Sequence, residues 1–369
     1  MGRSAKHVFE VAAFIVIPLL LLWAFLRAPQ LGYDFRAVWD ASRAIRHGDN
    51  PYPSVAAIPD HPKALQAFVY PPPIALLALP TAALPFSAVA FVLALVDVVA
   101  AVVAVRLLGV RDWRCYGVVV GCLPLLGSAR LGALSPLLLL LVALAWRARS
   151  GRAGTAVAVA AAVVVKLFLW PLLIWLLATR RLLAAVLAGA LCVAVTIAGW
   201  ALIGFDGIGR YPALLGRVSH VQYEKSFSLL ALFHAAGLPN GVARVALLAA
   251  AALLAGMIWV AGRSGNDEAS FSLSIVAALF LTPLLWLHYF VLLLVPVALR
   301  SPRLSRWWLL PLAFYATPWE ESGGRAWTIL VALGLSIAAV WPTAQRRWWR
   351  AAPREPLPRP PSARAAPAP

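Results

Sequence analysis

Apolar segments long enough to cross a bilayer recur from one end of this chain to the other, and no other feature restricts its fold as much. The first, Val8 to Leu26, is almost uncharged. Composition follows from the pattern: 62% hydrophobic residues, 12% charged, and a mean hydropathy of +0.84. The segments are continuously apolar rather than alternating, which selects helices over the strands of a β-barrel. Lipid offers no hydrogen bonds, so every backbone polar group needs an internal partner, and a helix supplies one. The expected fold is an all-α polytopic integral membrane protein with roughly ten to twelve transmembrane helices. Val8 to Leu26 is too long for a signal-peptide core and lacks a small-residue cleavage site, so it reads as a retained span.

A net charge of +18 would point to nucleic acid in a soluble protein. Here 20 of the 32 Lys and Arg fall at Arg3/Lys6, Arg106/Arg111/Arg114, Arg147/Arg149/Arg152, Arg180/Arg181, Arg263, Arg300/Arg303/Arg306 and the tail from Arg346. These are short loops between spans, so they mark the cytoplasmic side, and no nucleic-acid partner is expected. Both termini then lie inside. Arginine far outnumbers lysine, the usage of a GC-rich bacterial genome, and the expected location is a bacterial plasma membrane. Cys115, Cys122 and Cys192 lie in apolar stretches without ligand spacing, which indicates neither a metal site nor a disulfide framework.

Three crossings break midway between basic loops, at Gly127 to Pro136, Lys166 to Pro171 and Pro283 to His288, and each break is expected near the outer face. Residues 1–350 read as one transmembrane domain, with a first outer loop at 28–73 and a second at 204–240. Residues 351–369 read as a disordered, basic, Pro- and Ala-rich cytoplasmic tail that touches anionic lipid. In the first loop, Phe35 to Ile45 has a helical apolar period, predicting an interfacial helix that ends at His47-Gly48 and turns through Asn50-Pro51-Tyr52-Pro53. Gly204 to Lys225 and Pro318 to Arg325, the latter with Glu320 and Glu321, are further outer segments.

Polar residues collect on that outer side: Asp34, Arg36, Tyr70, Arg130, Lys166, Ser228 and His288. Ionisable groups at a membrane carry function more often than packing. Asp34 stands where water, head groups and substrate meet. Lys166 interrupts an apolar run and is either a snorkelling lysine or a cation aimed at an anionic head group such as a phosphate. Arg130 and His288 carry the same two readings, structural or functional, and Arg36 reads as a solvated helix-start residue. Asp97 and Glu10 sit within spans, where each is expected to pair with a neighbouring helix.

The order of these features carries a resemblance. Asp34-Phe35 follows the first span, then come Gly48-Asp49-Asn50-Pro51-Tyr52 and Phe68-Val69-Tyr70-Pro71-Pro72. Lys166 with Pro171, Ser228-Leu229-Leu230 and Thr282-Pro283-Leu284-Leu285-Trp286-Leu287-His288-Tyr289 follow. Over about Val8 to Pro296 the sequence resembles the GT-C membrane glycosyltransferases, and within them the polyprenol-phosphate-mannose-dependent α-1,2-mannosyltransferases of glycosyltransferase family 87. It departs from that pattern at Ala133, where the family has Gln, at Ser226-Phe227, where it has Asn-Gln, and at Tyr289, where it has a second His. The departures are expected at substrate-contacting positions.

The resemblance implies a GT-C helical bundle and transfer of a hexose, mannose by family default, from a polyprenyl-phosphate donor. The acceptor would be an envelope glycolipid or glycan on the outer face. It implies Asp34 as the base, inversion to an α-glycoside, and Lys166, Arg130 and His288 facing the phosphate, with Tyr70, Ser228 and Arg36 nearby. No organic cofactor is expected, and a divalent ion is left open. Two other classes compete: a non-catalytic relative that binds the lipid phosphate, and a transporter or flippase. A transporter would show an inverted repeat and charge near the midplane.

Overall fold

Residues 3–59, 67–317 and 324–348 are described in the computed structural model of the chain. The expected tail, Asp60, Lys63, Glu320 and Glu321 lie outside them. Of the described residues 78% are helical, and none lies in a strand. Helix α1 spans Ser4–Arg27, α2 Tyr33–His47, α3 Pro72–Leu77, α4 Phe86–Leu107 and α5 Trp113–Gly121. Then come α6 Leu123–Leu131, α7 Ser135–Arg147, α8 Arg152–Val165, α9 Pro171–Ala178 and α10 Leu182–Leu202. The remainder are α11 Tyr211–Gln222, α12 Leu229–Ala235, α13 Asn240–Arg263, α14 Asp267–Leu281, α15 Leu294–Arg300 and α16 Ala326–Trp348.

Length and apolarity qualify α1, α4, α10 and α13 to cross a membrane, and α6 with α7 makes a fifth if that bent pair is one span. The other apolar helices are shorter, such as Arg152–Val165 and Leu287–Arg300. A count of ten to twelve crossings therefore overstates what unbroken helices supply; the rest of the apolar length is cut by the breaks. All three expected breaks are present. The α6–α7 pair bends by 119° at Gly132, α8 stops at Lys166 before Pro171 restarts the helix, and Thr282–Trp286 interrupts α14 and the 3-10 turn Leu287–Leu293. Irregular backbone at such depth is tolerated where it is buried in protein or lines a cavity.

Small residues let the bundle close. Ala156, Val159, Ala162 and Val163 of α8 and Ala184, Ala185 and Ala188 of α10 are buried where these two helices pack. Close approach of this kind replaces the hydrophobic drive that lipid abolishes. Large apolar side chains instead face outward on the long helices, among them Leu19 and Trp23, Val92 and Val99, Val186 and Ile197, and Val245 and Leu248. An apolar exterior of this extent suits lipid, not water.

The two ends of the bundle differ. At one end the basic loops are pinned by carboxylates: Arg114 contacts Asp112 at 3.0 Å and Glu10 at 3.3 Å. Asp267 contacts Arg181 at 2.7 Å and Arg149 at 3.7 Å. Glu10 thus has its expected partner. Asp97 does not: it is fully buried in α4, and neither oxygen has a hydrogen-bond partner among the described residues. The opposite end gathers the three breaks and the first loop.

A candidate active site at the helix breaks

Two glycine turns set the position of Asp34. Gly32 has φ +79°, and its N–H donates to the Arg130 carbonyl at 2.7 Å, so the start of α2 is tied to the end of α6. Gly132 has φ +66°, and a Cβ there would lie 2.9 Å from Phe35 Cβ. Only glycine permits both the left-handed turn and this approach. Phe35, Val38, Trp39 and Ala41 bury the apolar face of α2, Trp39 Nε1 donates to the Thr81 carbonyl at 3.1 Å, and Gly48 at φ +81° ends the helix as expected. Asp34 is left in the first turn, facing inward.

The proline-rich motifs build the adjoining wall. Asn50 Oδ1 accepts from the Tyr52 N–H at 2.8 Å, closing a turn that aims the Tyr52 ring inward. The ring stacks on Trp200 with centroids 5.1 Å apart, and the hydroxyl donates to the Tyr70 carbonyl at 2.9 Å. Tyr211 donates likewise to the Val69 carbonyl at 2.9 Å. Two tyrosines thus hold the extended strip before Pro71-Pro72, and Tyr70 faces the centre.

There a cavity of about 740 Å³ opens, lined by Asp34, Tyr70, Lys166 and His288, four of the sequence-derived candidates. Lys166 Nζ hydrogen-bonds the Tyr289 hydroxyl and lies 4.1 Å and 4.9 Å from the ring centroids of Tyr289 and Tyr70. Tyr289 in turn stacks on Phe168 at 5.3 Å. His288 is 2% exposed, and its Nε2 lies 3.7 Å from Asp34 Oδ2, just beyond direct hydrogen bonding. The Asp34 side chain keeps 30% of its surface accessible. Burial pushes its carboxyl up to about 6, and the Lys166 ammonium pulls the other way. Burial, then the Asp34 charge, raises the Tyr70 phenol, which stays a neutral donor. No three His, Cys, Asp or Glu side chains cluster for a metal among the described residues.

Three candidates lie outside the cavity lining. Arg36 pairs with Asp40 at 3.2 Å and covers the rings of Trp39 and Phe86, as a helix-surface residue does. Arg130 acts through its carbonyl on Gly32, and its Nη2 reaches the Pro29 carbonyl at 3.4 Å. Ser228 caps α12 and donates to the Pro283 carbonyl at 3.0 Å, fastening the break rather than facing the cavity. The departures from the family pattern sort the same way. Ala133 and Phe227 are buried in packing, and only Tyr289 reaches the cavity. Sequence reasoning missed one wall altogether, formed by Leu215, Val218, Ser219 and Gln222 of α11 with Lys225 just beyond. Its signal was present in the one-face helical spacing of those four residues.

The arrangement sets a carboxylate, two lysines and several phenols around a space large enough for a sugar and a second small group. Neither the curated proteins nor the solved structures include a match to this chain. The glycosyltransferase family 87 model matches residues 68–286. That stretch holds Tyr70, Lys166 and Lys225; Asp34 precedes it, and His288 follows two residues after its end. The match covers more than half of the chain, which therefore belongs to glycosyltransferase family 87 and is a membrane glycosyltransferase.

Proposed function

We propose that the enzyme moves a hexose, mannose first among the candidates, from a polyprenyl-phosphate donor to an envelope glycolipid or glycan acceptor. The bond formed is an α-glycoside, α-1,2 by the family pattern, and the reaction takes place at the outer face of a bacterial plasma membrane. The observation that carries the reading is the meeting of Asp34 with cavity lysines at the end of the bundle away from the basic loops.

The chemistry follows from the groups present. The Asp34 carboxylate takes the proton from an acceptor hydroxyl as that oxygen attacks the anomeric carbon. The bond from that carbon to the phosphate oxygen breaks, and the electron pair leaves with the phosphate, so polyprenyl phosphate departs with an added negative charge. Lysine ammonium groups in a site with little water stabilise that charge better than they would in bulk solvent. A carboxyl near 6 is ionised at neutral pH and still basic enough to accept a proton as the hydroxyl reacts. The polyprenyl tail leaves the cavity sideways past Leu167 and Trp170, which line it and stay 47% and 42% exposed. No organic cofactor takes part in these steps.

The test compares donors. Purified protein in liposomes containing mixed envelope glycolipids is offered polyprenyl-phosphate mannose or GDP-mannose. Transfer is expected from the lipid-linked sugar alone; transfer from the nucleotide sugar would overturn the donor class.

A further inference from the structure

Two of the helix breaks, far apart in the chain, interlock through their side chains beside the cavity. α8 stops at Lys166, whose backbone is extended at φ −147° and ψ 113°. The Lys166 ammonium donates to the Tyr289 hydroxyl and lies 4.1 Å from the Tyr289 ring centroid and 4.9 Å from that of Tyr70. Two residues on, Phe168 stacks on the Tyr289 ring, with centroids 5.3 Å and planes 9° apart. The His288 ring meets the same phenol edge-on at 4.6 Å. Tyr289 is only 7% exposed, and its N–H donates to the Trp286 carbonyl at 3.0 Å. The phenol is thus held by its ring and its backbone, and its hydroxyl has a set position on the cavity wall.

What this contact does to the lysine follows from its chemistry. A lysine is a flexible stem with a point charge at its tip, and ordering that stem detracts from any affinity the charge supplies. An ammonium has three N–H donors and no acceptor, so the Tyr289 oxygen is the acceptor and occupies one of the three. The hydroxyl and the two ring faces are neutral, so they attract the cation without cancelling its charge. The charge is fixed in place, with two N–H groups that this bond does not use. We infer that Tyr289 is a positioning residue: it holds the Lys166 ammonium as a preformed seat for the phosphate of the lipid-linked donor. The hydroxyl supplies the direction, because a ring face alone attracts a cation over a broad area. The assignment rests on the phosphate-lipid donor proposed above.

The experiment measures binding of farnesyl monophosphate and of uncharged farnesol to the full chain in nanodiscs. Wild type is compared with Tyr289→Phe, Lys166→Met and the double variant, each checked for an unchanged melting temperature. Lys166→Met should weaken the monophosphate about tenfold, and Tyr289→Phe, which keeps the ring and loses the hydroxyl, about fivefold. Farnesol affinity should stay the same in all of them. Adding Tyr289→Phe to Lys166→Met should change monophosphate affinity by less than about twofold, because the tyrosine acts through the lysine. A 13Cε-lysine NMR spectrum supplies a second readout, since the chain has four lysines and Lys166→Met identifies the Lys166 signal by its loss. Tyr289→Phe should move that signal. Unchanged monophosphate affinity in either single variant, a further fivefold loss in the double variant, or an unmoved Lys166 signal overturns the assignment. If wild type binds farnesol as tightly as the monophosphate, the donor reading itself fails and the Tyr289 assignment falls with it. Wild type alone reports that outcome, so the two failures are told apart.

Discussion

Asp34 owes its chemistry to two neighbours of opposite effect, the apolar surroundings that raise its pKa and the lysine that restrains the rise. The shift has a sign that can be measured. A carboxyl held near 6 becomes the neutral acid below that pH, and a neutral acid cannot accept the acceptor's proton. Transfer should fall as pH drops through about 6, read from initial rates at saturating donor. The folded state binds this proton more tightly than the unfolded chain, so this group adds stability as pH falls through the same window, and the loss of rate is not unfolding. A midpoint in the ordinary carboxylate range near 4 would contradict the burial seen here. Asp34 was legible in the sequence because a carboxylate at the end of a span has few bland explanations. Lys225 was not, because a lysine after a loop helix acquires meaning only when three chain segments meet.

Among the elements, the breaks matter more than the helices. Gly132 turns the chain between α6 and α7 at φ +66°, and its missing Cβ makes room for Phe35, one residue after the base. Gly132→Ala should cost ~1–3 kcal/mol of unfolding free energy. It should also lower the transfer rate beyond what the fall in melting temperature explains, because the side chain that must move adjoins Asp34. Melting curves and rates measured below the transition separate the two effects; full stability with full activity would contradict the proposed packing. The positions of the breaks, the helix after the first span and its Gly48 stop were readable, since Pro, Gly and a lone charge punctuate apolar runs locally. The number of unbroken crossings was not, because short apolar helices satisfy the same composition as long ones. Arg130 and Ser228 were not separable from the lining residues for a related reason. Each lies beside the site in sequence, yet its contacts are to backbone carbonyls that hold the turns.

At the scale of the whole molecule, charge is sorted between the two ends of the bundle. Basic loops clasped by Asp112, Glu10 and Asp267 occupy one end, and the cavity with its carboxylate occupies the other. This sorting was visible in the sequence as the placement of 20 of 32 basic residues, since loop charge follows topology directly. The cavity itself was not visible, because its walls come from α2, the strip before Pro71-Pro72, α11 and two separate breaks. Sugar transfer from polyprenyl-phosphate mannose by protein in liposomes, wild type beside Asp34→Asn, tests the account most directly. Asn keeps the shape and loses the base, so transfer should fall about a hundredfold to ten-thousandfold while farnesyl monophosphate still binds. Full transfer by Asp34→Asn would contradict the assignment of Asp34 as the base and the mechanism built on it.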